Sequence, residues 1–373
     1  MKVLQITTHF SPNIGGIETH LTDLITALIK RGWGVSVLTY QPLTTKSNSK
    51  FYEKDHGLTI IRIPWFPGLF YKLISYPLLE FLYLFPGLFF VTPVILILKR
   101  PDLINAHGIV AGFVGVFWAK VFNKKIIVST HSIYHFPKKG IYRRFVKWIF
   151  STSSYCLGLS KISADEIISL GIAPKRVDNF TYWIDLENFR KTTNAKRTLG
   201  WNGEFVVLFV GRLVWEKGIR ELLCAAKIWD KKINLKIIGS GPIEDEAKDL
   251  AINLKNVEFI GLIGQAKLPL YYSGADLLIV PSIHEEGFGR VILESLACGT
   301  PVIGSNRGAI GQALDSNVGK LIDINSENIK QAIEYYYNNR DELNGLAKKC
   351  REFAERRYSE KNVETIIKAY KQV

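Results

Sequence analysis

The chain is poor in the residues that build metal- or disulfide-held proteins. Its four cysteines, Cys156, Cys224, Cys298 and Cys350, stand far apart with no C-x-x-C pair. Neither a zinc cage nor a disulfide framework is therefore indicated, and a reducing cytoplasm is the simplest setting. His284-Glu285 opens an H-E-x-x-H pattern, but Phe288 stands where the second histidine belongs, so zinc hydrolysis is unsupported. No D-x-D-type acidic cluster follows a strand pattern, and no metal is expected. The G-x-G-x-x-G fingerprint of dinucleotide folds is missing as well. The opening MKVLQITTHF enters a strand pattern directly, without the apolar core and cleavage site of a signal peptide, and no export is expected. Acidic residues are in deficit: 34 Asp+Glu face 48 Lys+Arg, a formal charge of +14. That balance suits phosphate-rich ligands, nucleic acid or an anionic membrane surface. The deficit is uneven, since residues 1–185 hold 21 Lys+Arg against 10 Asp+Glu and carry +11 of it.

At 373 residues with 47% hydrophobic content, the chain is long and apolar enough for two globular domains. Val3 to Thr7 reads as a buried strand, SPNIGGIETH as a glycine turn, and Leu21, Leu24, Ile25, Leu28 and Ile29 repeat at helical spacing. Val35 to Thr39 supplies the next strand, which makes a βαβ unit of the doubly wound kind. Further strands are expected at Thr59 to Ile63, Leu103 to Ala106 and Ile126 to Thr130. Gly15 and Gly16 either bring backbone amides close to a phosphate or simply make a tight turn. His107 and His131, with His9 beside them, fall where strands end, the edge at which open α/β sheets bind ligands. There they are either structural or able to bond sugar hydroxyls and move a proton. His107 ranks first.

Between these strands lies a run of 18 uncharged residues, Phe81 to Leu98, FLYLFPGLFFVTPVILIL. That is long enough for a membrane span. A single crossing would place strands of one sheet on opposite sides of a bilayer, and Pro86 and Pro93 are expected to break the helix. A hydrophobic insertion over about 64–98, dipping into the membrane interface from one side, fits better, with a buried helix pair as the plain alternative. KKGIYRRFVKWIF favours membrane contact, because Lys138, Lys139, Arg143, Arg144 and Lys147 interleave with Ile141, Tyr142, Phe145, Trp148 and Ile149. Nucleic-acid binding explains that segment less well, and a solvated helix explains its charges alone.

From Tyr182 to Trp201 the pattern turns polar and reads as a connector. A second strand-loop-helix series then begins at Phe205 to Val210, and continues with strands at Leu235 to Ile238, Val257 to Ile260 and Leu277 to Val280. Arg212 and Lys217 lie in its first loop, where a planar guanidinium and a mobile ammonium can neutralise a diphosphate. The last of these strands runs into VPSIHEEGFGRVILESLACGTPVIG. Placing Glu286 and Glu294 on one helix axis separates them by about 12 Å, which matches a long ligand with hydroxyls at both ends and phosphates between. Two solvated glutamates on a surface helix are the plain reading.

Taken together, SPNIGGIETH, RGWGVSVLT, NAHG, VGRLVWEKGIRELL and above all EGFGRVILESLACGTPVI resemble the retaining glycosyltransferases of family 4. The resemblance spans nearly the whole chain. It implies the GT-B fold, two facing Rossmann-like doubly wound parallel-sheet domains with the cleft between them. Residues 1–185 would hold the acceptor, 186–358 would bind the nucleotide sugar, and a helix in 359–373 would cross back to the first domain. It further implies that Glu294 binds the donor ribose, that Glu286 with the Phe288 and Gly289 amides binds the hexose, and that Arg212 and Lys217 bind the diphosphate. His107 would meet the transferred sugar, with Gly15 and Gly16 on the phosphate side. Two departures stand out. TYWID replaces the family's Asn-Gly turn before Val-Asp, and RGAIGQA replaces Gly-Gly-x-Pro-Glu, removing an acid and adding Arg307.

The expected activity is transfer of a hexose, with retention, from a nucleotide diphosphate sugar to a hydroxyl of a membrane-associated or lipid-linked acceptor. No cofactor and no nucleic-acid partner are expected, and the location expected is the cytoplasmic face of a membrane. A sugar-nucleotide epimerase or hydrolase on the same architecture, or a non-catalytic membrane-binding module, are the competing classes.

Overall fold

The computed structural model describes residues 1–13, 15–44, 49–67, 73 and 76–373. Ile14 in the predicted glycine turn and residues 68–72, 74 and 75 of the predicted insertion lie outside them. The chain divides into two compact units, residues 1–182 with 362–373, and residues 183–361.

The first unit carries strands β1 (Lys2–Thr7), β2 (Gly34–Tyr40), β3 (Tyr52–Asp55), β4 (Leu58–Ile63), β5 (Leu103–His107), β6 (Lys125–Thr130), β7 (Tyr155–Gly158) and β8 (Val177–Asn179). They form one sheet in the order β3-β4-β2-β1-β5-β6-β7-β8. All neighbours run parallel except the hairpin pair β3 and β4. The strand order reverses between β1 and β5, which makes their C-terminal ends the switch point of the sheet. Register places Thr7 beside His107, and His107 beside Ser129. Side chains alternate across a strand. Leu4, Ile6, Ile104, Ala106 and Val128 therefore enter the core on one face, while Gln5, Asn105, His107 and Ser129 share the other.

Helices of this unit are α1 (Gly16–Lys30), α2 (Pro77–Lys99), α3 (Gly108–Val121), α4 (Ile141–Thr152) and α5 (Lys161–Ser169), and the chain's terminal helix, Val363–Gln372, also belongs to it. The prolines do not break α2, which runs unbroken through Pro86 and Pro93. Neighbouring side chains supply what the interrupted backbone ladder lacks. The Leu88 amide donates to the Tyr40 hydroxyl at 3.0 Å, and that hydroxyl donates to Leu84 O, so it stands inside the i to i−4 ladder. Pro93 has no amide for the Phe89 carbonyl, which instead accepts from the Trp118 indole at 2.8 Å. Inserted side chains of this kind are a recognised way to carry a helix past a proline. They also fasten α2 to its own domain.

The second unit, with β9 (Phe205–Val210), β10 (Ile233–Ile238), β11 (Val257–Gly261), β12 (Leu277–Val280), β13 (Val302–Ser305) and β14 (Gly319–Ile322), forms an all-parallel sheet in the order β11-β10-β9-β12-β13-β14. Its switch point lies between β9 and β12. The start of the predicted polar connector is buried: Tyr182, Trp183 and Ile184 are each at most 3% exposed. Beyond it, Asp185 orders a turn by accepting from the Glu187 and Asn188 amides.

Candidate active site

The two strands at the second unit's switch point send out the two loops that sequence reasoning singled out. After β9 come residues 211–218, and after β12 come 281–289. Lys217 Nζ and Glu286 Oε1 meet as an ion pair, and Ser282 Oγ donates to the same carboxylate oxygen at 2.6 Å. The backbones hold the pair in place. Glu216 O accepts from the Ile283 amide at 2.9 Å and contacts His284 Nδ1 at 3.0 Å. Gly218 has φ +73°, and a β-carbon there would strike the Pro281 carbonyl, so only glycine permits the two loops to touch. A third loop closes on Glu286 from the far side, where the Ala309 amide donates to Glu286 O at 2.9 Å. Burial would raise the Glu286 carboxyl, but the Lys217 charge, with hydrogen bonds from Lys217 and Ser282, outweighs it and holds the group below its ordinary value. Glu286 is thus an anion. Lys217 keeps 27% of its side-chain surface open, against 12% for Glu286, so the cation of the pair is the better placed to meet a ligand. Arg212, also in the β9 loop, is exposed.

Glu294 behaves differently. The helix over Arg290–Ala297 begins after Gly289, so Glu286 lies outside it, and the expected spacing of two glutamates along one axis does not hold. The reason is Gly289 itself, at φ +75°, which ends the loop and starts the helix. Glu294 is 5% exposed; its Oε2 accepts from the Tyr272 hydroxyl at 2.8 Å, and Oε1 lies 3.4 Å from Arg290 Nε. Burial first, and then the neighbouring carboxylate, push the Tyr272 phenol well above its usual range, which keeps it a donor. Phe288 is buried with its ring edge-on to Tyr358, so only its backbone is placed to bond a ligand.

In the first unit, His107 ends β5, and both ring nitrogens are engaged. Nε2 lies 2.7 Å from Gln5 Oε1, and Nδ1 lies 2.9 Å from Nε2 of His131. His131 Nδ1 meets the Tyr182 hydroxyl at 3.1 Å. Burial, then the neighbouring His131, hold the His107 pKa far below the histidine norm, and burial takes His131 down to about 3. Both rings are neutral. At the start of α1, the Glu18 carboxylate packs where a Gly15 β-carbon would stand, so a side chain at Gly15 would displace it.

Two family models cover this chain in succession: Glycosyltransferase Family 4 matches residues 14–188, and Glycosyl transferases group 1 matches residues 191–357. The chain belongs to this glycosyltransferase family. An uncharacterised glycosyltransferase of Methanocaldococcus jannaschii is 28% identical over 86% of this chain and 84% of its own length. Alpha-monoglucosyldiacylglycerol synthase of Streptococcus pneumoniae is 29% identical over 81% and 70%. Among solved structures, sucrose-phosphate synthase of Thermosynechococcus elongatus superposes with a TM-score of 0.83 at 23% identity, covering all of this chain and 98% of that one. HepE of Anabaena in complex with UDP gives 0.81 at 20% identity, with both chains fully covered. The fold is GT-B, two Rossmann-like parallel-sheet domains.

Within the glycosyltransferase, the structure gathers Lys217, Glu286, Gly289 and the Phe288 backbone about the β9 and β12 loops. Glu294 is set deeper, with Tyr272, and Gly15, Gly16 and His107 lie at the first domain's own switch point. Sequence reasoning passed over Ser282, Tyr272 and Gln5. Gln5 left a signal, being the one polar residue inside the apolar run VLQI. Arg307, the departure in RGAIGQA, donates from Nη1 to Ile283 O at 2.9 Å and so braces the loop that carries Glu286. Among the described residues no cluster of three or more His, Cys, Asp or Glu side chains could hold a metal ion.

Proposed function

We propose that this glycosyltransferase moves a hexose from a nucleotide diphosphate sugar to a hydroxyl of a membrane-associated or lipid-linked acceptor, with retention at the anomeric carbon. The observation that carries the reading is the cluster of Lys217, Glu286 and Ser282 at the sheet's switch point, with Arg212 exposed in the same loop. HepE, the fold neighbour, was solved with UDP and with UDP-glucose, and a sequence relative is a monoglucosyldiacylglycerol synthase. Both fit such a donor and such an acceptor.

In the reaction the bond from the anomeric carbon to the diphosphate oxygen breaks, and its electron pair leaves with the phosphate. The acceptor oxygen bonds to the same face of the sugar, and its proton passes to the departing phosphate oxygen. Charge grows on the diphosphate, where Lys217 and Arg212 neutralise it without a metal. Fixed groups of this kind are worth about 10²–10³ in turnover each. Glu286, already committed to Lys217 and Ser282, orients the hexose hydroxyls rather than attacking carbon, and Glu294 with Tyr272 holds the ribose. Lys217→Ala should cut turnover by about 10²–10³ while the variant keeps the circular dichroism spectrum of the folded protein. Near-normal transfer would sink the assignment. Full conversion of the nucleotide sugar by purified protein without an acceptor would indicate hydrolysis or epimerisation instead.

The outer face of α2, α3 and α4 supports the reading of a membrane-borne acceptor. By length and composition α2 could cross a membrane, but Leu84, Leu88, Ile95 and Leu96 are buried in the domain core, and Tyr40 and Trp118 hold its backbone. The opposite side exposes Leu78, Leu82, Phe90, Val94, Ile97 and Leu98. Phe81 packs against Phe113 of α3 and Phe145 of α4, which joins that side to α4, where Ile141 is 85% exposed beside the exposed Lys138, Lys139, Arg144 and Lys147. An apolar stripe rimmed by cations suits one-sided insertion into an anionic bilayer at the cytoplasmic face. Vesicles containing anionic phospholipid should float the protein at low salt and release it as salt rises. Equal binding to neutral vesicles, or none to either, would remove this part of the proposal.

A further inference from the structure

The contacts of His107 and His131 form a chain in which each hydrogen bond dictates the next. Gln5 Nε2 donates to the Tyr370 hydroxyl at 3.2 Å, which leaves Gln5 Oε1 as an acceptor. His107 Nε2, 2.7 Å away, must then carry the proton, and in a neutral ring Nδ1 becomes an acceptor. That nitrogen faces His131 Nε2 at 2.9 Å, so His131 is also protonated on Nε2, and its Nδ1 accepts from the Tyr182 hydroxyl at 3.1 Å. The partners of the two rings are themselves held. His20 stacks on Tyr182 and on Phe180, with centroids 4.5 Å and 5.2 Å apart, and Asn105 Nδ2 donates to Tyr370 at 2.6 Å while its Oδ1 accepts from Ser129. The chain begins at Tyr182, the last residue of the first unit before the chain leaves it, where the returning segment contributes Asn362 Nδ2 to Tyr182 O at 3.2 Å.

We propose that Gln5, His131 and Tyr182 are positioning residues for transfer, locking His107 into one neutral tautomer and one ring orientation at the end of β5. The proposal rests on the reading that His107 meets the transferred sugar. Because its two nitrogens are already bonded, His107 offers the ligand a fixed, uncharged ring edge, and the proton on each histidine is determined by the chain of contacts that runs from Tyr370 through Gln5 to Tyr182. The lock demands that both histidines share one tautomer. Unlike tautomers would set two lone pairs or two protons against each other at the contact between His107 and His131.

Tyr182→Phe is the informative variant, since it keeps the stacked ring and deletes only the hydroxyl. Imidazole nitrogen shifts of the full chain labelled at histidine should place His107 and His131 together in the Nε2–H form at neutral pH; in Tyr182→Phe, where Gln5 still sets the tautomer, the unprotonated Nδ1 of His131 loses its donor and its shift should move downfield. Turnover in that variant should fall about tenfold, the rate equivalent of one ordinary hydrogen bond, with the donor KM unchanged. Unlike tautomers in the wild type, or unchanged shifts and unchanged kcat in Tyr182→Phe, would overturn the proposal. Normal turnover of His107→Ala is a separate result, for it would refute the sugar contact on which the proposal rests whatever the shifts show.

Discussion

Acid should destabilise the first domain from about pH 6.5 downwards, through its buried histidines. His131 is about 6% exposed, and burial lowers its pKa to about 3, whereas an unfolded histidine titrates near 6.5. The unfolded chain therefore takes up the proton first. Stability from keeping this ring neutral is complete above about pH 6.5 and is lost progressively as the pH falls from there towards the folded value. At about pH 5 the ratio of the two binding polynomials gives a loss of about 2 kcal/mol for His131 alone. His107, shifted in the same direction by burial and by its neighbour, adds to it. A whole domain is stable by only about 5–15 kcal/mol, so the effect is large. Among the described residues, Gln5 bonds His107, Tyr182 bonds His131 and His20 packs 5.5 Å from the His131 ring, and none of these three is a carboxylate that could stabilise a second charge.

The measurement is urea unfolding at about pH 7.5 and about pH 5, with hydrogen exchange on peptides covering β5 and β6 to assign the loss to this domain. His131→Gln should reduce the difference between the two conditions, whatever it costs at neutral pH, because only one titrating ring remains. Equal unfolding free energies for the wild type at the two conditions would refute the argument that the pair is held neutral by burial.

Tyr40→Phe removes the hydroxyl that stands inside the α2 ladder, leaving the Leu88 amide and Leu84 carbonyl buried, so a loss of about 1–3 kcal/mol in urea unfolding is expected. Gly218→Val, at a position with positive φ directly against the Pro281 carbonyl, should separate the two loops and weaken nucleotide-sugar binding strongly, read as a lost thermal shift with a panel of donors. Tyr272→Phe leaves Glu294 without its hydroxyl donor, and donor KM should rise with little change in kcat, the pattern of uniform binding.

The parallel strands that flank both switch points were legible because buried strands read as continuous apolar runs, and the loops after them because Gly, Arg, Lys and Glu interrupt those runs abruptly. Short strands such as β7 and the edge strands β8 and β14 carry three or four residues each, too few to show a period. The unbroken α2 was illegible for another reason. A proline inside a helix is costly by about 3 kcal/mol, and what offsets it here is a tyrosine 46 positions earlier and a tryptophan 25 positions later in the chain, contacts that no local pattern records. The division of labour between the two glutamates was hidden likewise, since Tyr272 and Lys217, the residues that distinguish Glu294 from Glu286, come from separate elements. His107 was found by its position at a strand end, but its occupied nitrogens depend on Gln5, which shares a sheet face with it, and on His131 just past the end of β6, and no local pattern brings either beside it.

The two switch points solve one electrostatic problem in opposite ways, and this separates their behaviour in acid. In the first domain His107 and His131 are buried and bonded to uncharged groups, so they stay neutral, and acid is resisted only until the unfolded histidines protonate. In the second, Lys217 remains partly open and holds Glu286 as an anion below its ordinary pKa. A carboxylate of that kind contributes stability that is complete above about 4.5, its unfolded value, and is lost as the pH falls through the lower folded one. Between about pH 6.5 and 4.5 the first domain should therefore weaken while the Lys217–Glu286 pair keeps its full contribution. Hydrogen exchange at about pH 5 should show β5 and β6 opening ahead of β9 and β12. Equal opening of both sheets, or earlier loss in the second, would mean that the histidine rings are not the acid-sensitive element.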